Sequence, residues 1–247
     1  MITTGHALIL RPVGRGEALA RRLQQAGWRT TLAPLMTFAA GPDLPQLATE
    51  LAHLNPKDLL LAVSPSLLPW VVTAAPPPWP LATRIAVGAT TATALAAAGC
   101  GTWLFPRVAD SDGVLALPAC HQGEGRRVLL LRGERGRTLI ADTLRQRGFV
   151  LVELCCYRRL PLAPTAEQLT QWQSDGIDTL ILTSAEALDI LLTHSNNRQQ
   201  QWLAACQWLV ASPRLAAWVG EHLGATRVSV ADGADDQALM NLALPSP

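Results

Sequence analysis

Short apolar runs alternate along the chain with stretches in which apolar residues recur every three to four positions. This alternation predicts an α/β protein with mostly parallel sheets. The runs predict strands near 7–10, 28–33, 58–63, 84–87, 102–105, 127–131, 149–157, 178–183, 207–211 and 227–230. Between them, 15–26, 44–54, 65–73, 89–98, 137–147, 165–173, 184–193, 213–223 and 235–243 have helical composition or period. In 15–26, Ala18, Leu19, Leu23 and Ala26 fall on one face, while Arg21, Arg22 and Gln25 face away.

The same pattern occurs twice. Leu10-Arg11-Pro12, a helix, Gly27 and a strand recur as Leu131-Arg132-Gly133, a helix ending in Arg147-Gly148, and a strand from Phe149. Asp58 to Ser64 matches Asp178 to Ser184; Ile85-Ala86-Val87-Gly88 matches Leu209-Val210-Ala211-Ser212; Ala109 to Gly113 corresponds to Ala231 to Asp236. Two copies of one unit of roughly 120 residues explain this, and hence two similar α/β domains. The segment 33–38 and the long strand 149–159 occupy equivalent places and can pair as a bridge. One domain then takes residues 1–35 and 160–247 and the other 39–155, with 34–38 and 155–160 as linker strands.

Composition narrows the partners. The 247 residues carry 20 Lys+Arg against 19 Asp+Glu, a net charge of +1. Neither a nucleic acid nor a membrane surface would be drawn by so weak a field, so an acidic ligand must be met locally. The five cysteines, Cys100, Cys120, Cys155, Cys156 and Cys206, form no Cys-x-x-Cys and have no histidine pair at ligand spacing. They read as reduced, mostly buried thiols of a cytoplasmic protein. Arg11 interrupts the apolar run Ala7 to Leu10, which therefore reads as neither signal peptide nor anchor. The uncharged stretch Ile85 to Phe105, apart from its glycines and threonines, reads as strand, helix and strand rather than as a membrane span.

In open parallel sheets, ligands bind beyond the carboxyl ends of the strands. Small polar residues or glycines stand there repeatedly: Arg11-Pro12-Val13-Gly14, Ser64-Pro65, Gly88-Ala89-Thr90-Thr91, Arg132-Gly133, Thr183-Ser184 and Ser212-Pro213. Each junction offers backbone N–H groups and a helix N-terminus to a carboxylate or phosphate. Ser64-Pro65 and Ser212-Pro213 also read simply as caps followed by a first-turn proline, and glycines 88 and 133 as tight turns.

Other chemistries fail. No Gly-x-Gly-x-x-Gly, Walker lysine or Gly-x-Ser-x-Gly is present. The five histidines are scattered in predicted loops or on helix faces, and Asp235-Asp236 reads as a cap for the last helix. Tyr157, the only tyrosine, ends an apolar strand before Arg158-Arg159. It is either a buried strand tyrosine with a satisfied hydroxyl or, facing a cleft, a phenol able to protonate a leaving group. A non-catalytic two-domain sensor closing on a small acidic ligand fits the same architecture.

Leu10-Arg11-Pro12, Val63-Ser64, Ala86 to Ala92, Asp110-Ser111-Asp112-Gly113, Leu131-Arg132-Gly133 with Gly136-Arg137, Arg147-Gly148, Cys156-Tyr157-Arg158-Arg159 and Leu182-Thr183-Ser184 resemble, in order and spacing, the uroporphyrinogen-III synthase family of proteobacterial type. The resemblance implies two flavodoxin-like domains joined by a two-stranded ladder, with the active site in the cleft between them. It implies a lyase of haem and sirohaem biosynthesis that needs no cofactor; no metal site is expected, the thiols speak for the cytoplasm, and a chain whose two halves already pair is by default a monomer. The substrate is a linear tetrapyrrole polycarboxylate, hydroxymethylbilane, closed with inversion of ring D through a spiro-pyrrolenine. Transient contact with the preceding or following pathway enzyme is also implied, and no nucleic acid or membrane. By motif position, Tyr157 is the proton donor with Thr91 and Ser64 beside it. Arg11, Gly88, Thr90, Ser111, Arg132, Gly133, Arg137, Thr183, Ser184, Ser212 and Arg214 bind substrate. After Ser212-Pro213 the family often has Thr-Thr and this chain has Arg214-Leu215, so hydroxyl contacts do not carry over there and Arg214 can take a carboxylate instead.

Overall fold

A computed structural model describes residues 5–244, so positions 1–4 and 245–247 of the expected first domain lie outside it. In chain order the elements are β1 (His6–Ile9), α1 (Glu17–Gln25), β2 (Arg29–Leu32), β3 (Met36–Ala40), α2 (Leu47–Ala52), β4 (Leu59–Ala62), α3 (Leu68–Ala74), β5 (Thr83–Ala86) and α4 (Ala89–Ala97). There follow α5 (Ser111–Leu115), β6 (Arg127–Gly133), α6 (Leu139–Gln146), β7 (Val150–Pro161), α7 (Ala166–Ser174), β8 (Thr179–Leu182) and α8 (Ala185–Thr193). The chain ends with α9 (Asn197–Ala205), β9 (Gln207–Val210), α10 (Pro213–Leu223), β10 (Val228–Val230) and α11 (Asp236–Ala243).

The chain divides into two compact units: one runs up to Thr37 and resumes at Leu160, and the other is Phe38–Arg159. The first holds the sheet β10-β9-β8-β1-β2, and its strand pairs are parallel. Numbered within the unit, this is the order 2-1-3-4-5 of flavodoxin-like folds. The second holds β3-β7-β6-β4-β5, in which β5-β4-β6-β7 repeats the order 2-1-3-4 in parallel pairs, with β3 beside β7. Each unit therefore reverses its strand order once, between β1 and β8 in the first and between β4 and β6 in the second.

Both faces of each sheet are covered, which is why its central strands read as unbroken apolar runs. On β4, Leu60 and Ala62 join one buried cluster, and Leu59 and Leu61 join the cluster on the other face. On β1, Leu8 packs to one side and Ala7 and Ile9 to the other. The doubled aspartates share a task. Asp58 Oδ1 accepts from the N–H of Arg127 at 2.9 Å, and Asp178 Oδ1 from that of His6 at 3.2 Å. Each carboxylate thus tethers the start of the strand next to its own.

Several expectations are corrected. Residues 102–105 form only an isolated bridge, Ile85 with Leu104, because Gly99 and Gly101 at positive φ turn the chain on either side of Cys100. Helices α5 and α9 lie outside every segment of helical period in the sequence. On α1 the buried residues are Leu19, Ala20 and Leu23, with Ala18 exposed, so the inward face is rotated by part of a turn. His6 is no loop residue: it opens β1, 7% exposed, with Nε2 2.9 Å from Thr31 Oγ1. Among the described residues no helix is long and apolar enough to cross a membrane.

Candidate active site

At the strand-order reversal of the second unit, where β4 and β6 lie side by side, a cavity of about 430 Å³ opens at the carboxyl ends of the strands. Ser64 follows β4, Val87 follows β5, Arg132 and Gly133 end β6, and Tyr157 stands on β7. Val63, Leu130 and Ile140 supply apolar surface; Arg132, Arg135, Arg137 and Arg159 supply guanidinium groups, with the Asp110–Ser111 turn beside them. Cavities of similar volume in the same unit, by Pro118–Arg126 (440 Å³) and by Ala48–Pro80 (450 Å³), lack this combination of strand ends and cations.

Local structure fixes these groups. Ser64 is an extended N-cap whose Oγ accepts from the N–H of Ser66 at 3.2 Å. Its hydroxyl proton remains available to a ligand. Asp110 caps α5 through Gly113 N at 2.8 Å, which holds Ser111 in the first turn. Arg137 is exposed, and among the described residues it makes no ion pair. Tyr157 is 4% exposed and packs edge-on to Phe38, ring centres 5.7 Å apart. Among the described residues nothing hydrogen-bonds its phenol hydroxyl, and the residue lines the cavity.

Arg132 departs from the expectation of a waiting anion receptor. Its Nη1 donates to Glu153 Oε2 at 2.7 Å and its Nε to the Gly133 carbonyl at 3.3 Å, while Arg145 donates to Glu153 Oε1 at 2.5 Å. Burial pushes the Glu153 carboxyl up, but hydrogen bonds from Arg132 and Arg145 and their charges outweigh it and hold it below the ordinary carboxylate range. Glu153 was missed in the sequence because its partners stand 21 and 8 residues away. Arg135 was legible, since it lies between Arg132-Gly133 and Gly136-Arg137, the two pieces of sequence that flank it.

The remaining candidates fall elsewhere. Gly88 is the N-cap of α4, and a Cβ there would stand 2.7 Å from the Ala109 Cβ, so its smallness serves packing. Thr90 is exposed, whereas Thr91 is 2% exposed on the inner face of α4, and neither lines the cavity. In the other unit, Arg11, Thr183-Ser184 and Ser212 follow the adjacent strands β1, β8 and β9, and Arg214 is exposed on the first turn of α10. Ser212 caps α10 through Leu215 N at 3.3 Å, whereas Ser184 heads α8 without a side-chain cap. Arg11 is paired with Asp236 and also donates to the Ala234 carbonyl at 3.2 Å. Of the two acids expected to cap the last helix, Asp235 does so, through Ala238 N at 2.9 Å, while Asp236 serves Arg11.

No thiol lines the cavity. Burial pushes Cys156 and Cys206 up to about 12 and Cys120 up to about 11, far from the thiolate range. Among the described residues no group of three His, Cys, Asp or Glu side chains is placed to hold a metal ion.

Comparison with known proteins agrees with this architecture. The family model described as uroporphyrinogen-III synthase HemD matches residues 17–241. The uroporphyrinogen-III synthases of Salmonella typhimurium and Escherichia coli are each 37% identical over 240 residues, covering 94% of this chain and 97% of theirs. Among solved structures, uroporphyrinogen-III synthetase from Helicobacter pylori aligns with a TM-score of 0.62 at 16% identity, over 97% of this chain and 98% of that one. A mutant uroporphyrinogen III synthase from Thermus thermophilus aligns at 0.61 and 19% identity, over 96% of each chain. At those identities the structures speak for the fold, and the sequence matches carry the assignment. The sensor alternative finds no support in them. With two parallel sheets of flavodoxin-like order and this match over nearly its whole length, the chain belongs to the uroporphyrinogen-III synthase family, lyases of tetrapyrrole biosynthesis.

Proposed function

We propose that the chain works as a uroporphyrinogen-III synthase and that the cavity at the β4/β6 reversal is the part of its site that handles the reacting end of the substrate. The observation that carries this is the phenol of Tyr157, which lines a cavity rich in guanidinium groups at the carboxyl ends of parallel strands and has no hydrogen-bond partner among the described residues. The substrate, hydroxymethylbilane, combines apolar pyrrole rings with many carboxylates. Val63, Leu130 and Ile140 suit the rings, and Arg137 suits a carboxylate.

The reaction starts when the ring A hydroxyl leaves. Tyr157 donates its proton to that oxygen, the C–O bond breaks, water departs and an electrophilic azafulvene remains. Ring D then attacks through its already substituted carbon; the spiro-pyrrolenine so formed fragments and recloses with ring D inverted, and the proton lost from ring D on aromatisation returns to the phenolate. Unassisted bilane closes without inversion, so the chain must favour one attack geometry. Each tenfold preference needs about 1.4 kcal/mol of differential barrier, which orientation of a folded, anchored substrate supplies. The chemistry asked of the protein is proton transfer and positioning, and no cofactor enters it. In this unit Thr90 suits a further carboxylate, and Thr91 and Gly88 act by packing; in the other unit Thr183, Ser184, Ser212 and Arg214 offer contacts of the same kind at its own strand ends, and Arg11 does so only on leaving Asp236.

The reading is of a cytoplasmic monomer that meets the preceding or following pathway enzyme only in passing. Its test is to supply freshly made hydroxymethylbilane and separate the product isomers by chromatography. The type III isomer is expected, and formation of the type I isomer alone would refute the assignment. Tyr157→Phe should slow turnover on the order of a hundredfold, within the range of general acid catalysis, with the melting temperature kept. Undiminished turnover would remove Tyr157 from the mechanism.

A further inference from the structure

We infer that Gly133 is a positioning residue for Tyr157: its missing side chain is the slot in which the phenol ring lies. This rests on the donor reading above for its catalytic meaning and on geometry for its substance. On the sequence alone Gly133 reads as a tight turn or as a carboxylate-binding backbone site. The structure points elsewhere, because a Cβ on Gly133 would stand 2.6 Å from Tyr157 Cζ, 2.9 Å from its hydroxyl and 3.0 Å from Cε1. No side chain other than hydrogen fits under the ring.

The register explains how the two residues meet. In the parallel pair of β6 and β7, Arg132 stands opposite Cys155, but Gly133 stands opposite Tyr157, so β7 carries Cys156 as one extra residue. Successive residues of an unbroken strand point to opposite faces. Here the consecutive Cys156 and Tyr157 both pack in the same buried cluster, as a bulge permits. The bulge therefore turns Tyr157 to the level of Gly133, and the glycine leaves room for the ring. Phe38 closes on it edge-on at an interplanar angle of 67°, and hydrogen bonds from the described residues take no part in aiming the hydroxyl. Packing alone sets where the proton is delivered.

Gly133→Ala forces the ring to retreat from 2.6 Å to beyond about 3.4 Å. The obstructed atoms are the far end of one side chain, so the ring swings while the sheet persists. A misplacement near 1 Å costs on the order of a hundredfold in rate, so kcat should fall about ten- to a hundredfold, with KM little changed.

Because Tyr157 is the only tyrosine in the chain, ring-labelled tyrosine gives the signals of a single ring and reports on this contact without assignment. In the unaltered protein the ring protons should show a nuclear Overhauser effect to the Gly133 α-protons, a measurement that needs no variant to fold; its absence overturns the proposal. Gly133→Ala should shift the tyrosine signal, and an unmoved signal likewise overturns it. The decisive comparison is on a Tyr157→Phe background, where the glycine substitution should add almost no further loss of kcat. An equal loss on both backgrounds would mean that Gly133 acts by itself, for instance by touching substrate, and would sink the idea. Full turnover by Tyr157→Phe alone would instead refute the donor reading and with it the catalytic part of this inference, while the Overhauser contact would still stand or fall by its own measurement.

Discussion

Asp58 and Asp178 occupy the same place in the two units, yet their removal should have unequal consequences. Asp58 is 3% exposed; Oδ1 accepts from Arg127 N at 2.9 Å and Oδ2 from Asn55 N at 2.9 Å. Asp58→Ala strips two part-buried N–H groups of a buried, charged acceptor. Hydrogen bonds to charged groups contribute about 1.5–3 kcal/mol each, so the second unit should lose about 3–5 kcal/mol, a large share of a typical domain's stability. Asp178 is exposed and binds His6 N at 3.2 Å and the Thr179 hydroxyl at 2.7 Å. Water can replace it, so Asp178→Ala should cost about 1 kcal/mol in the first unit. Amide hydrogen exchange resolves the units separately: protection along β4 and β6 should collapse in the first variant with β1 and β8 unaffected, and in the second the loss should be small and confined to β1 and β8. Equal losses in the two variants, or a loss spread over both units in either, would refute the reasoning from burial.

Two further outcomes follow from the charges and thiols. Glu153 is held below its ordinary value in the folded state, so the stability it contributes is present above the unfolded carboxyl value of about 4.3 and fades as pH falls through the lowered folded value. Melting temperatures of the unaltered protein and of Glu153→Gln should therefore differ at neutral pH and converge in acid, and a constant gap down to pH 3 would contradict the Arg132–Glu153–Arg145 network. Among the cysteines only Cys155 is less than fully buried. Brief alkylation of the folded protein at neutral pH, read by peptide mass spectrometry, should mark Cys155 first and leave Cys156, beside it and pushed up to about 12, unmodified.

The parallel sheets and the doubled unit were legible because central strands such as Leu59–Ala62, and Leu180–Leu182 in β8, are unbroken apolar runs, and only a sheet covered on both faces requires that. Strand ends were legible too, since Ser64-Pro65 and Ser212-Pro213 announce caps that the structure contains. What escaped had a weaker or a non-local signal. Helix α9 is rich in glutamine with little apolar period; its mark was the capping box of Asn196 and Gln199, a local cue that period alone passes over. The pairing of Arg11 with Asp236 spans nearly the whole chain, and no spacing rule reaches so far. The bulge at Cys156 depends on the register between two strands, which period-two alternation cannot show. The sequence therefore named Gly133 and Tyr157 but not the contact between them.

The strand order also has a consequence for synthesis. β1 is central in its sheet and wholly buried, but one of its two neighbours, β8, begins about 170 residues after β1 ends. At about 5–20 residues per second a ribosome needs roughly 10–30 s to make that stretch. Meanwhile the unit Phe38–Arg159 emerges complete and can fold, while β1 waits with one edge unpaired beside β2. A nascent chain of this kind carries an apolar strand edge for tens of seconds, and its yield in a cell should depend on chaperone occupancy during translation more than on the stability of the finished protein.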